Sequence, residues 1–290
     1  MGNTIWELDF YSRPILDDNQ KKLWEVLICE TPSGINCSWE SLFEYSQFCS
    51  NKTVNSLWLK EALEKAIAQA PETPRKIRFF RRQMNNMIVK AGEELGIPTV
   101  PSRRTYTLLQ LLKQRVEDVY PQQPGFDPQA ARVVSVQYPS QEATALPDAL
   151  RGDRQDKWAF VSLEAADFAE MDEWEITFGE SLPLLSMGVQ PATKIPGVII
   201  FSSRATPLAA WMSGLELAWV KFEEGNLAKL RLETGISDSW ILAGFNDQQT
   251  VAEAKSFEHS KGEANNIHFL AIQSDPQSQS FAGFWLLQEF

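Results

Sequence analysis

Two arginine pairs follow short apolar runs: Arg81-Arg82 comes directly after residues 77–80, and Arg103-Arg104 two residues after 97–100. If those runs are parallel strands joined by right-handed crossovers, the residues after them emerge at one carboxyl edge of the sheet. Each pair would then also precede a helix, whose free N–H groups and dipole favour anions. Guanidinium groups suit bidentate contact with phosphate. The pattern predicts a phosphate-binding rim of four guanidinium groups, Arg81, Arg82, Arg103 and Arg104, with Arg75 and Lys76 as further residues that neutralise the phosphate backbone. The plainer alternative has these side chains pairing with nearby Glu or covering apolar surface with their stems.

Other chemistry is thinner. Glu7 and Asp9 share one face of an opening strand, with Glu25 opposite if the next run pairs with it. Clustered carboxylates on a central strand can hold Mg²⁺ in a two-metal nuclease. Facing water, or pairing with Arg13 and Lys22, is the plainer reading. The chain has two histidines, His259 and His268, too few for a multi-histidine metal site. His268 lies inside an apolar run and reads as a core or edge residue. Phosphate-loop, nucleophile-elbow and dinucleotide fingerprints are all absent. Cys29, Cys37 and Cys49, an odd set, fit neither a disulfide framework nor a zinc site. No cofactor is implied. At the other end, Trp285-Leu286-Leu287 closes an apolar strand, with Trp285 and Leu287 on one face and Leu286 on the other. The tripeptide reads as core, whereas an exposed Trp285 would offer a stacking platform for an unpaired base.

These residues need elements to place them. Residues 4–11 alternate as a half-buried strand, 17–19 carry turn chemistry, and 23–29 resume a β-rich run, which predicts a hairpin. An ambiguous aromatic stretch, 39–48, follows. Three helices come next: one capped by Ser56 and stopped by Pro71, one ending at Gly96, and one capped by Thr105 and ended by Pro121. The two apolar runs lie between them, and strand–helix–strand–helix order signals βαβ units with parallel strands. Composition then shifts to Pro and Gln, interrupted by one apolar segment, 133–138. The second half predicts strands at 158–163, 198–201, 240–245, 267–273 and 281–287, a hairpin across residues 223–226, and a helix at 251–259. The expected fold is α/β in two mixed domains. Residues 1–120 form an N-terminal domain of hairpin and βαβ units, 121–155 a Pro/Gln-rich linker, and 156–290 a C-terminal domain with a mixed sheet and few helices.

The 290 residues carry 27 Lys+Arg against 38 Asp+Glu, a net charge of −11 that argues against a uniformly nucleic-acid-binding surface. The charge is uneven. Residues 75–115 hold ten basic and two acidic residues, whereas the part after position 120 holds 11 basic and 23 acidic. A basic island in an acidic chain is an interaction signal. No run approaches the length of a membrane span, and the first residues do not read as a signal peptide, so a soluble cytoplasmic protein is expected.

The run from Glu7 to Asp17 (ELDFYSRPILD), with Lys21-Lys22-Leu23-Trp24-Glu25-Val26 and the closing Trp285-Leu286-Leu287, resembles the Tab/Atab family of RNA-binding translation factors. That family occurs in chloroplasts and cyanobacteria. The resemblance implies a non-enzymatic protein that binds A/U-rich single-stranded leader RNA of a photosystem reaction-centre message and promotes its translation, with a part in photosystem assembly. By position, Trp285, Leu286 and Leu287 inherit the RNA-binding role. The ribosome or other translation factors are further partners on this reading, and a cyanobacterial cytoplasmic member is expected rather than an imported precursor. Two rivals stay open: a metal-dependent nuclease using Glu7 and Asp9, and an assembly factor whose acidic second half meets a basic protein without direct RNA contact.

Overall fold

The computed structural model describes residues 4–130, 142–150 and 156–290. The expected apolar segment 133–138 lies outside the described residues. The chain divides into two compact units, one of Met1–Thr31 and Trp39–Tyr138, the other of Pro32–Ser38 and Pro139–Phe290.

The first unit opens with β1 (Ile5–Leu16), β2 (Lys22–Glu30) and β3 (Glu44–Cys49), an antiparallel meander. The β1–β2 turn closes where Asp17 Oδ1 accepts the N–H groups of Asn19 and Lys21, each at 2.9 Å. The ambiguous aromatic stretch resolves into a 3₁₀ turn, Trp39–Ser41, and β3. Then come α1 (Ser56–Gln69), β4 (Lys76–Phe79), α2 (Asn85–Leu95), β5 (Thr99–Pro101) and α3 (Tyr106–Gln114). The sheet order is β3-β2-β1-β4-β5, with β4 parallel to both β1 and β5. The βαβ reading therefore holds. The cap of α1 is Asn55, one residue before the expected Ser56: its side chain accepts the N–H of Trp58 at 2.9 Å. Gly96 ends α2 at φ 69°, a left-handed position where a side chain would be strained.

β1 is not half-buried as its alternation predicts, because it lies in the middle of the sheet with helices on both sides. Trp6, Leu8 and Phe10 pack with Val26, Ile28, Ile77 and Phe79 against Leu59, Leu63 and Ile88 of α1 and α2. On the other face, Leu27, Cys29 and Phe80 pack against Leu108, Leu111 and Leu112 of α3. The described start of the Pro/Gln-rich stretch is bonded to β1. Leu16 N donates to Gly125 O at 2.8 Å and Asp127 N to Pro14 O at 2.9 Å. Gly125 (φ 80°) lies so close that a Cβ there would be 2.2 Å from Leu16 O.

The second unit contains β6 (Thr144–Ala145), β7 (Lys157–Glu164), β8 (Ile176–Glu180), β9 (Lys194–Phe201), α4 (Ala205–Ser213), β10 (Leu217–Glu223), β11 (Ala228–Thr234), β12 (Asp238–Phe245), α5 (Gln248–Glu263), β13 (Ile267–Gln273) and β14 (Phe281–Gln288). Instead of one mixed sheet there are two, ordered β7-β9-β13-β14-β8 and β10-β11-β12-β6. They share a core in which Val198, Ile200, Leu270 and Ile272 of the first meet Val220, Leu230, Leu232 and Leu242 of the second. Among the described residues no helix is long and apolar enough to cross a membrane.

Candidate nucleic-acid interface

The parallel register of β4 and β5, Ile77 opposite Thr99 and Phe79 opposite Pro101, brings both arginine pairs to the carboxyl edge of the first sheet. The gathering is as the spacing predicts. The orientation is not. Arg81 is 9% exposed and its Nε donates to Asp9 Oδ1 at 2.5 Å while a terminal nitrogen reaches Oδ2 at 3.2 Å. Its guanidinium also lies 3.9 Å from the centroid of the Tyr11 ring. Arg103 and Arg104 are buried, Arg104 with its guanidinium 5.3 Å from the Tyr106 ring. Lys76 is half-buried, and Arg75 and Arg82 are exposed. Of the six expected phosphate contacts, only Arg75 and Arg82 present an exposed side chain.

The reason lies in β1. Glu7, Asp9 and Arg13 alternate with the residues that face α1 and α2, so they are carried inward on the other face with Glu25 and Arg78. Burying a charge is costly unless it is paired, and these are tightly paired. Arg13 bridges Asp9 at 2.8 Å and Glu25 at 2.7 Å. Glu25 also accepts from Tyr120 Oη and Ser46 Oγ, both at 2.6 Å, and pairs with Arg115. Burial alone would raise the Asp9 carboxyl, but Arg13 and Arg81 outweigh it and hold it below its ordinary value. The N-terminus of α3, expected to meet phosphate, is already capped by a carboxyl group. Leu108 N donates to Glu7 Oε2 at 2.8 Å, and Thr31 Oγ1 donates to Oε1 at 3.0 Å. Thr105 stands at the N-cap without a side-chain capping bond. Burial pushes the Glu7 carboxyl up to about 7, opposed by the Leu108 N–H and by Arg78.

The carboxylates on which the nuclease reading depends are already occupied. Glu7 and Asp9 do share a face, but both Asp9 oxygens receive guanidinium donors and Glu7 caps a helix. Among the described residues no group of three or more His, Cys, Asp and Glu could hold a metal ion. His268 is a core residue: Nε2 accepts from Val220 N at 2.8 Å, and burial holds its pKa well below the ordinary value.

Trp285, Leu286 and Leu287 are 2%, 0% and 0% exposed. β14 is an interior strand between β13 and β8, with Trp285 opposite Leu270 and Leu287 opposite His268. Trp285 and Leu287 enter the core shared by the two sheets, and Leu286 takes the other face, as alternation requires. The indole lies over Gly283, where a Cβ would come within 2.3 Å of the ring. An open stacking face at Trp285 is therefore not what the structure provides; the side chain buttresses the sheet.

The first unit holds aromatic residues that the sequence reading passed over. Tyr11 and Trp24 pack edge to face at 5.6 Å, and Phe10 meets Trp24 at 5.6 Å and stacks on Trp58 at 5.5 Å. Phe10 is buried, whereas Tyr11, Trp24 and Trp58 are each partly open to solvent. Their available signal was large aromatics at strand and helix ends beside Lys21, Lys22 and the arginine pair.

Comparison with known proteins agrees across both units. The family model described as "RNA-binding protein Tab2/Atab2 N terminal" matches residues 5–115, and that for the "RNA-binding protein Tab2/Atab2, C-terminal domain" matches residues 133–288. The "Protein TAB2 homolog, chloroplastic" of Zea mays is 38% identical over 97% of this chain and 70% of its own length. The protein of the same name in Arabidopsis thaliana is 38% identical over 97% of this chain and 74% of its own. Among solved structures, a chain of the simian T-cell lymphotropic virus intasome in complex with PP2A regulatory subunit B56 gamma matches 42% of this chain and 44% of that one, at 22% identity and a TM-score of 0.25, too weak a likeness to carry an argument. Matched in both halves and along almost its whole length, the chain belongs to the Tab2/Atab2 family of RNA-binding proteins.

Proposed function

We propose that this protein binds A/U-rich single-stranded leader RNA and thereby promotes translation, and with it assembly, of photosystem reaction-centre subunits. The observation that carries the reading is that both halves of the chain match domains of one RNA-binding family. A cytoplasmic setting, and contact with the ribosome or other translation factors, belong to the same reading. Arg82 beyond the carboxyl end of β4, and Arg75 with Lys76 at its amino end, take the phosphate backbone. Arg81, Arg103 and Arg104 hold the edge in shape from inside, and Trp285, Leu286 and Leu287 support the fold of the second unit.

The number of exposed cations sets the expected electrostatics. Each phosphate neutralised on a single strand contributes about −0.7 to the slope of log affinity against log salt. Three contacts predict a slope of about −2, where all six expected contacts would give about −4. The test is fluorescence anisotropy with a labelled A/U-rich leader, a G/C-rich strand of equal length and a duplex. The expected result is preference for the A/U-rich single strand. Equal affinity for all three would leave RNA binding standing but remove the leader specificity, and no binding would remove both.

A further inference from the structure

The aromatic group at the carboxyl edge of the first sheet is built like a base-stacking platform. Trp24 pairs across the hairpin with Ser12 of β1, Tyr11, the residue before Ser12, meets its ring edge to face, and Trp58 lies in the first turn of α1. Buried Phe10 touches both tryptophans and fixes their spacing, which leaves Tyr11, Trp24 and Trp58 partly open. Leu57, beside Trp58, is 61% exposed. Singly such partial exposure is ordinary for Trp and Tyr; here the three aromatics and Leu57 lie in one region of the surface, and it is a contiguous patch that marks a binding site.

Two features favour a nucleic acid over an apolar partner. Arg82, next to this edge, is exposed and makes no side-chain hydrogen bond or ion pair among the described residues. Lys21 and Lys22, at the hairpin end that carries Trp24, are exposed as well. Asp9 and Glu25 beneath this edge are buried and paired with arginines, and the two carboxylates of the hairpin turn, Asp17 and Asp18, are balanced in number by Lys21 and Lys22, which leaves Arg82 as the unbalanced cation. Flat π-faces flanked by free cations are the arrangement that holds unpaired bases with little regard to sequence.

The geometry points to Tyr11, Trp24 and Trp58 as the surface on which unpaired RNA bases stack, with Arg82 on the adjoining phosphate. Arg81 is a positioning residue: held by Asp9, it lies over the Tyr11 ring and fixes the tilt of that ring. The inference rests on the RNA-binding reading above and gives it a place in the fold.

The experiment measures equilibrium binding of the full chain to a labelled unstructured A/U-rich strand and to a duplex of equal length. It uses wild type, Trp24→Ala, Trp24→Phe and Arg82→Ala, with circular dichroism melts of each. Trp24→Ala should weaken single-strand binding by roughly 5- to 150-fold, the effect of losing one base stack, and leave duplex binding nearly unchanged. Trp24→Phe should retain most of the affinity. Ultraviolet crosslinking of wild type followed by peptide mapping should place a nucleotide on Tyr11, Trp24 or Trp58. If Trp24→Ala fails to fold, Arg82→Ala and the crosslinks decide. Wild type that binds no RNA overturns the RNA reading and this inference together. Wild type that binds while Trp24→Ala or Arg82→Ala binds equally well, or crosslinks found only elsewhere, overturns this inference alone; that outcome is expected if the aromatics receive a protein.

Discussion

The carboxyl edge of the first sheet and the last strand of the second unit were the two places where sequence pointed to RNA contact, and they are built on opposite principles. At the edge, buried charge does the packing: Asp9, Glu25 and Glu7 are held by Arg13, Arg81, Arg115 and the N-terminus of α3. In β14, Trp285 and Leu287 are buried among Val198, Leu270 and Ile272. An apolar core withdraws its residues from any ligand. A charged core fixes only part of its edge and leaves neighbours such as Arg82 and Trp24 outside. The contrast teaches that a motif's place in the topology does not settle which way its side chains point; the partners across the sheet do.

The contrast can be broken by removing each kind of support. Arg13→Ala should cost about 3–5 kcal/mol, because it takes one of two arginine partners from each of two buried carboxylates, leaving Asp9 with Arg81 and Glu25 with Arg115. Urea unfolding measures it, and a loss below about 1 kcal/mol would mean the network is no more than a surface ion pair. Trp285→Ala should cost about 3–5 kcal/mol through the cavity it leaves. Its RNA affinity, measured below the melting transition, should stay near wild type if the indole only buttresses the sheet; a selective loss in a well-folded variant would restore a contact role to the tripeptide.

The Glu7 cap sharpens the same contrast through pH. Its carboxyl titrates at about 7 in the fold against an ordinary 4.5, so the folded chain keeps a proton there that the unfolded chain has released. Its contribution is fully present below pH 4.5 and is lost as pH rises toward 7. Glu7→Gln, which keeps an acceptor for Leu108 N, should flatten that decline in a series of melts, an effect on the order of 2–3 kcal/mol across the window. An unchanged profile would show that Glu7 is ionised throughout. Smallest in stability is Arg82→Ala, expected within about 0.5 kcal/mol of wild type since the side chain is exposed. Its effect belongs to RNA affinity.

Much of the architecture was readable because local signals and topology agree. Alternation in 4–11, turn chemistry at Asp17 and glycine at position 96 each have a near-unique structural solution. The parallel strands, and with them the shared edge of the arginine pairs, followed from element order. What was not readable needed a third dimension. That Arg81 would bond Asp9, 72 residues away, depends on the register of β4 against β1, and that Glu7 would cap α3 depends on a contact across 101 residues. α4 was missed because Pro207 in its first turn reads as a breaker, although proline is tolerated there. The aromatic edge was missed because Tyr11, Trp24 and Trp58 lie on three different elements, Tyr11 meeting Trp24 directly and Trp58 joining them through Phe10.

The most direct test of the account is the salt dependence of single-strand binding, measured for wild type and Arg82→Ala on the A/U-rich strand. The account predicts a log–log slope of about −2 for wild type, made shallower by roughly 0.7 in the variant, with duplex binding weaker throughout. A wild-type affinity that ignores salt, or a slope that Arg82→Ala leaves unaltered, would contradict an RNA-binding edge in the first unit.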